Sequence, residues 1–157
     1  MVIAKNMRRY IPSSEDFYYE EFPFYWLARV HGIYQREMER ALAKVGTDIP
    51  TWRVLFILKV HGTSTVSEIS THAVAKLPTM TRIIQRMKQE GLVETNTHAE
   101  DGRVTEVSAT DSGRALVQRI EEVTEGLFAR SFKDFTPAQI ARLNGSLAQL
   151  YGNLAGD

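Results

Sequence analysis

The chain contains no cysteine. That absence excludes disulfide scaffolds, thiolate-bound zinc, iron–sulfur clusters, cysteine nucleophiles and thiol-based redox sensing. Long apolar runs are missing as well. The longest, Val54-Leu55-Phe56-Ile57-Leu58, is core-sized and far below the roughly 18 residues of a membrane span. From Met1 to Tyr10 the charges follow the short apolar stretch, the reverse of a signal peptide. The expectation is a soluble cytoplasmic protein with no membrane partner. Neither sign of charge is in excess, with 19 Lys+Arg against 19 Asp+Glu, so a globally basic, sequence-indifferent nucleic-acid binder is not indicated. The four histidines, His31, His61, His72 and His98, include no pair three or four residues apart, so no metal site and no cofactor are predicted.

What the chain does have is apolar periodicity. At 157 residues and 43% hydrophobic content it is long enough for one folded domain. After an arm rich in Tyr and Phe, Pro23 opens a helix. Phe24, Leu27, Val30, Tyr34, Met38, Ala41 and Val45 then recur at three- and four-residue steps up to Gly46. A second helix fits Pro50 to His61. Thr65-Val66-Ser67-Glu68 reads as a capping box that starts a third helix ending near Ala73. Pro78 sits in the first turn of a fourth helix, which ends near Glu90-Gly91. The β-prone stretches Leu92–His98 and Arg103–Ala109 flank an Asp101-Gly102 turn and predict a hairpin. Thr110 caps a fifth helix carrying Leu116, Ile120, Val123 and Leu127. Thr136-Pro137-Ala138-Gln139 opens a sixth with Ile140, Leu143, Leu147, Leu150 and Leu154. The fold is therefore mostly α with a small β-hairpin wing. It is a winged helix-turn-helix flanked by long helices, whose seams exceed what the small centre can cover and predict a two-fold dimer.

The fourth helix carries the sharpest chemical signal. From Lys76 to Lys88 there are four bases, Lys76, Arg82, Arg86 and Lys88, and no acid. Thr79, Arg82 and Arg86 fall on one helical face, flanked by Thr81 and Gln85, while Met80, Ile83, Ile84 and Met87 take the other. Arg, Gln and Thr are side chains that reach base edges and phosphates. A solvated helix face would carry the same residues. The hairpin adds Arg103 at its tip, where a narrow minor groove attracts arginine, and Asp101, which can pair with Arg103 and fix its aim.

These residues resemble the multiple antibiotic resistance regulator (MarR) family of winged-helix transcription factors, from about Phe24 to Leu154. The most specific stretch is Thr81-Arg82-Ile83-Ile84-Gln85-Arg86-Met87-Lys88-Gln89-Glu90-Gly91-Leu92-Val93, similar to the family's recognition helix and first wing strand. Asp101-Gly102-Arg103 matches the wing signature, and Val107-Ser108-Ala109-Thr110-Asp111-Ser112-Gly113 resembles the entry to the next helix. Ala109 stands where leucine is usual, which loosens a packing contact. Pro78 stands where serine is common, which removes a hydroxyl from the DNA side. The resemblance implies one domain over 1–157, with dimerisation helices at 23–46 and 111–155 and a DNA-binding lobe at 50–110. It implies a homodimeric repressor on a pseudo-palindromic double-stranded operator, released by a small ligand, often an aromatic acid. It also implies that Arg82, Arg86, Gln85, Thr79 and Thr81 lie in or beside the major groove. Arg103, oriented by Asp101, takes the minor groove, and Lys76 and Thr65 the phosphates.

For a ligand, Trp26, Arg29 and His31 on the first helix and Trp52 and Phe56 on the second could form an apolar slot with one cation. Trp52 and Phe56 could equally be core, and Arg29 and His31 dimer-face residues. No nucleophile elbow, zinc-protease motif, phosphate-binding glycine loop or dinucleotide fingerprint is present, so an enzyme is not predicted. The alternative is a winged helix that binds only protein, which would be expected to present an acidic or apolar face where this chain has Thr79, Arg82 and Arg86.

Overall fold

Most helices begin where the sequence supplies an acceptor for their free amides. In the computed structural model, which describes residues 5–97 and 104–156, Asp48 accepts from Thr51 N at 2.9 Å and opens α2 (Ile49–His61). Thr65 opens α3 (Val66–His72) with the predicted capping box. Its hydroxyl accepts from Glu68 N at 3.2 Å, and the Glu68 carboxylate accepts from Thr65 N at 2.7 Å. Thr110 accepts from Gly113 N at 3.0 Å and starts α5 (Asp111–Ser131). Thr136 and Gln139 cap α6 (Pro137–Ala155) reciprocally. Each such cap is worth about 1 kcal/mol. Proline occupies the first turn of α1 (Pro23–Ala43) and of α4 (Leu77–Gln89).

The chain divides into two compact units, up to Thr124 and from Glu125 onward. In the first, α2 lies at the centre, burying Ile49, Thr51, Val54, Leu55 and Leu58. Met38 and Leu42 of α1, Ile69 of α3, Met80, Ile84 and Met87 of α4, and Leu116, Val117 and Ile120 of α5 are buried too. Full burial of such side chains contributes about 1.5–3 kcal/mol each before conformational entropy is subtracted. The wing strands β2 (Val93–Thr97) and β3 (Thr105–Ala109) pair antiparallel, with Val93 opposite Ala109 and Thr97 opposite Thr105. A two-residue strand, β1 (Ser64–Thr65), pairs with the other edge of β3, giving the order β1-β3-β2. The hairpin expected from sequence is thus the larger part of a three-stranded sheet. A two-residue strand has no periodicity to detect.

Two further differences have local causes. Helix α1 stops at Ala43, and Lys44 to Gly46 form a turn in which Gly46 takes φ 72°. Helix α2 starts one residue before Pro50 because Asp48, not a residue inside the predicted span, is its cap. The arm packs through its aromatics. Phe17 meets Phe22 at 5.5 Å, Tyr19 meets Tyr25 at 4.5 Å and Tyr25 meets Trp26 at 5.0 Å between ring centres. Arg9 of the basic arm pairs with Glu21. In the second unit, α6 buries no residue, and Leu143, Leu147, Tyr151 and Leu154 are exposed.

Gly113 is the tightest glycine among the described residues. A Cβ there would lie 2.2 Å from the Leu92 carbonyl oxygen, a backbone atom already accepting from Thr110 N at 3.1 Å. Relief requires moving the strand away from the helix. Gly113→Ala is therefore expected to lower unfolding free energy by about 3 kcal/mol, the upper end for overpacking, as read by urea denaturation.

Candidate nucleic-acid interface

Helix α4 is seated by one face. Met80, Ile84 and Met87 are at most 3% exposed, and at 3.6 residues per turn the opposite ridge is Pro78, Arg82, Gln85 and Gln89, all exposed. Thr81 and Lys88 lie along one flank, Thr79 and Arg86 along the other. Arg82, Gln85, Thr79 and Thr81 therefore reach solvent together, as the sequence reading requires. The Thr81 hydroxyl meanwhile donates to Leu77 O at 3.0 Å within the helix.

Arg86 is held apart from this ridge. It was expected to join Arg82 at the groove, but its guanidinium turns toward the start of α2. Nη1 lies 2.8 Å from Asp48 Oδ2, and Nη2 donates to Asp48 Oδ1 at 3.1 Å and to Thr51 Oγ1 at 2.9 Å. Glu90 Oε1 stands 3.8 Å from Nε. Three acceptors within hydrogen-bond reach outweigh the one-face argument from spacing, which sees α4 alone. Thr65 is likewise engaged within the protein. Both hydrogen-bonding capacities of its hydroxyl are used inside the capping box, since it also donates to Glu68 Oε2 at 3.0 Å. Lys76 precedes α4 with an exposed side chain and no capping bond. Asp101 and Arg103 lie outside the described residues.

A cleft of about 610 Å³ runs between the start of α3, the Thr81–Lys88 flank of α4 and the sheet. It brings Thr65, Thr81 and Gln85 together with Ser67, Lys88 and Thr95, which sequence reading had not singled out as site residues. Lys88 Nζ donates to Thr95 Oγ1 at 2.6 Å, tying the recognition-type helix to the wing strand. Its place in the basic window was the one available signal.

A second concavity, an open groove of about 620 Å³, is lined by His31 and Tyr34 of α1, Trp52, Arg53 and Phe56 of α2, and His72 at the end of α3. It unites three of the five residues proposed for a ligand. The other two are employed elsewhere. Trp26 Nε1 donates to Glu20 O at 2.7 Å, and Arg29 lies over the Tyr25 ring at 5.3 Å. Arg53, beside Trp52, and not Arg29, is the arginine that lines this groove. Burial pushes the Tyr34 phenol up, against the opposing pull of the Arg53 charge. Trp52 and Phe56 stack at 5.9 Å, Phe56 exposed and Trp52 half-buried, so neither is a closed core residue. His72 also stacks on His61, with ring centres 4.4 Å apart. Among the described residues no group of three metal-ligating side chains converges, and no helix is long and apolar enough to cross a membrane.

Comparison with known proteins decides what the exposed ridge belongs to. The MarR family model matches residues 48–105, the span from the α2 cap to the wing. The chain is 53% identical over 150 residues to the HTH-type transcriptional repressor IacR of Pseudomonas putida, covering 96% of this chain and 90% of that one. The chain belongs to the MarR family. It is a DNA-binding transcriptional regulator and not an enzyme. Two solved MarR-type structures share its fold. One is a mutant MarR of E. coli complexed with operator DNA, with TM-score 0.71 and 21% identity, covering 80% of this chain and 90% of that one. The other is BpsR of Bordetella bronchiseptica, whose DNA binding is regulated by 6-hydroxynicotinic acid, with TM-score 0.74 and 19% identity, covering 86% and 96%. In this MarR-family chain the match begins at Asp48, the residue that caps α2 and holds Arg86.

That carboxylate has a measurable signature. Burial raises the Asp48 pKa, but the Thr51 hydroxyl and amide and the Arg86 guanidinium together outweigh it and hold the carboxyl below its ordinary value of 3.8. Thr65 likewise holds Glu68 low. A carboxylate with a depressed folded-state pKa stabilises the fold above its unfolded pKa, and that contribution disappears as pH falls through the lowered value. Thermal stability should therefore be flat above pH ~5 and fall in the acid range below ~4, and Asp48→Asn should reduce that acid-limb slope in melts followed by circular dichroism.

Proposed function

We propose that the protein is a homodimeric repressor that binds a pseudo-palindromic operator through α4 and the wing and is released by a small aromatic acid. The observation that carries the reading is the exposed Arg82–Gln85 ridge opposite the buried Met80, Ile84 and Met87 of the same helix. Arg82 and Gln85 read base edges in the major groove, with Thr79 and Thr81 beside them. Lys76 and Lys88 serve phosphates, Arg103 enters the minor groove and Asp101 orients it. Repression, as opposed to activation, is supported by the relative from P. putida, which is named a repressor.

Dimerisation is supported by the apolar surface left uncovered in one protomer. Val30 and Ile33 of α1 and Leu143, Leu147 and Leu154 of α6 are all exposed. A second copy on a two-fold axis buries them and sets two α4 helices about 34 Å apart, one turn of DNA. The groove between α1, α2 and the end of α3 suits an aromatic carboxylate, with Arg53 for the acid and Trp52, Phe56 and Tyr34 for the ring. A ligand that prefers a dimer with another lobe spacing drains the DNA-bound population in proportion to its differential affinity. The Bordetella neighbour, regulated by a heteroaromatic acid, supports that class.

The test is fluorescence anisotropy on DNA upstream of the protein's own gene, with scrambled DNA as control. Arg82→Ala should weaken operator binding by about 1–3 kcal/mol and leave scrambled binding nearly unchanged. Wild-type binding that shows no margin over scrambled DNA across operator libraries would instead favour a protein-binding winged helix. Arg53→Ala should keep operator affinity and abolish displacement by aromatic carboxylates, and displacement that survives it would remove the ligand from this groove.

A further inference from the structure

The guanidinium of Arg86 sits on the helix that reads DNA, yet every nitrogen it carries faces a protein acceptor. Nη1 and Nη2 engage the two oxygens of Asp48 as a fork, at 2.8 and 3.1 Å. Nη2 also donates to Thr51 Oγ1 at 2.9 Å, a hydroxyl on a residue only 2% exposed, and Nε faces Glu90 at 3.8 Å. The two side chains of this pair are 44% and 45% exposed, yet Asp48 is also tied into the backbone. Its Oδ1 simultaneously accepts from Thr51 N at 2.9 Å and so caps α2, which fixes the carboxylate before Arg86 arrives. A bidentate arginine–carboxylate pair with a preset acceptor specifies orientation as well as contact.

We infer that Arg86 is a positioning residue for DNA recognition. It contacts no DNA itself, and its clasp on Asp48 and Thr51 sets the rotation of α4 about its own axis, hence the aim of Arg82 and Gln85. The buried face of α4 consists of Met80, Ile84 and Met87, of which two are flexible methionines that tolerate small rotations. On the opposite flank Lys88 holds Thr95 at 2.6 Å. The two flank bonds act as stays on either side of the helix. This inference rests on α4 being the DNA-reading helix.

The sign of one charge change separates this role from direct contact. If Arg86 reached DNA, Asp48 would be an acid competing for it and repelling phosphate, and its removal would strengthen binding. If Arg86 positions α4, the same removal weakens specific binding. Asp48→Ser is the variant of choice, because serine keeps the α2 cap while deleting the partner of the fork. Asp48→Asn is the second variant, and melts verify that both remain folded at the assay temperature.

Operator binding of Asp48→Ser and of Arg86→Ala should each fall at least fivefold. The double variant should be no worse than either alone, and Arg86→Lys, which keeps the charge without the fork, should not rescue. Affinity for scrambled DNA and the slope of log K against log salt should stay at wild-type values, whereas a lost phosphate contact lowers that slope by about 1. A merely unstable protein would lose operator and scrambled binding alike. Unchanged or tighter operator binding by both Asp48 variants would overturn the inference, as would a reduced salt slope in Arg86→Ala or additive losses in the double variant. An Arg82→Ala control that binds operator like wild type would instead sink the assignment of α4 as the reading helix.

Discussion

Met80, Ile84 and Met87 carry most of the consequence in this molecule, because their burial decides which way α4 faces. A helix held by a stripe of about 100° leaves the other side free, and in α4 that side is the one proposed to meet DNA. The three side chains pack toward the core centred on α2, so the frame for recognition is the hydrophobic contact of one helix with the interior. Polar side chains then trim the orientation. Arg86 works from one flank through Asp48 and Thr51, and Lys88 from the other through Thr95.

The first turn of α2 deserves its central place on physical grounds. Asp48 caps it, Thr51 receives Arg86, and the next two residues, Trp52 and Arg53, form a wall of the groove that faces α1 and the end of α3. A single helical turn therefore borders both the proposed ligand site and the clasp on the reading helix. Rigid α-helical geometry links them within a few ångström, so no long relay of side chains is required. Val74, also on the groove and just beyond His72 at the end of α3, lies in the turn between α3 and α4, where it is held at φ 52°. A β-branched residue in that region costs about 1–2 kcal/mol, so this turn sits close to the edge of its allowed conformation.

Much of this was legible before any coordinates. Capping boxes at Thr65-Glu68 and Thr136-Gln139, first-turn prolines at positions 23, 78 and 137, and apolar spacing identified the helices, because those signals are local. The order of helices and hairpin already implied the winged-helix topology, and the family resemblance agreed with it. The strand Ser64–Thr65 escaped because it exists only through pairing with β3. The partners of Arg86 and Arg29 were not legible for one reason. Helical spacing tells which face a residue leaves from, but not which distant acceptor it finds. Asp48 lies 38 positions from Arg86. Arg29 was the more conspicuous arginine beside aromatics, yet Tyr25 claims it, while Arg53 sits beside Trp52 on the groove.

The most direct measurement of the central claim is arginine side-chain NMR during operator titration. Hε–Nε signals report each guanidinium separately, without mutating anything. The Arg82 resonance should shift strongly and slow its solvent exchange as it enters the groove, while that of Arg86 stays at its free-protein position with Asp48 still bound. An Arg86 signal that moves as far as that of Arg82, with loss of its contact to Asp48, would contradict the account and return Arg86 to the DNA.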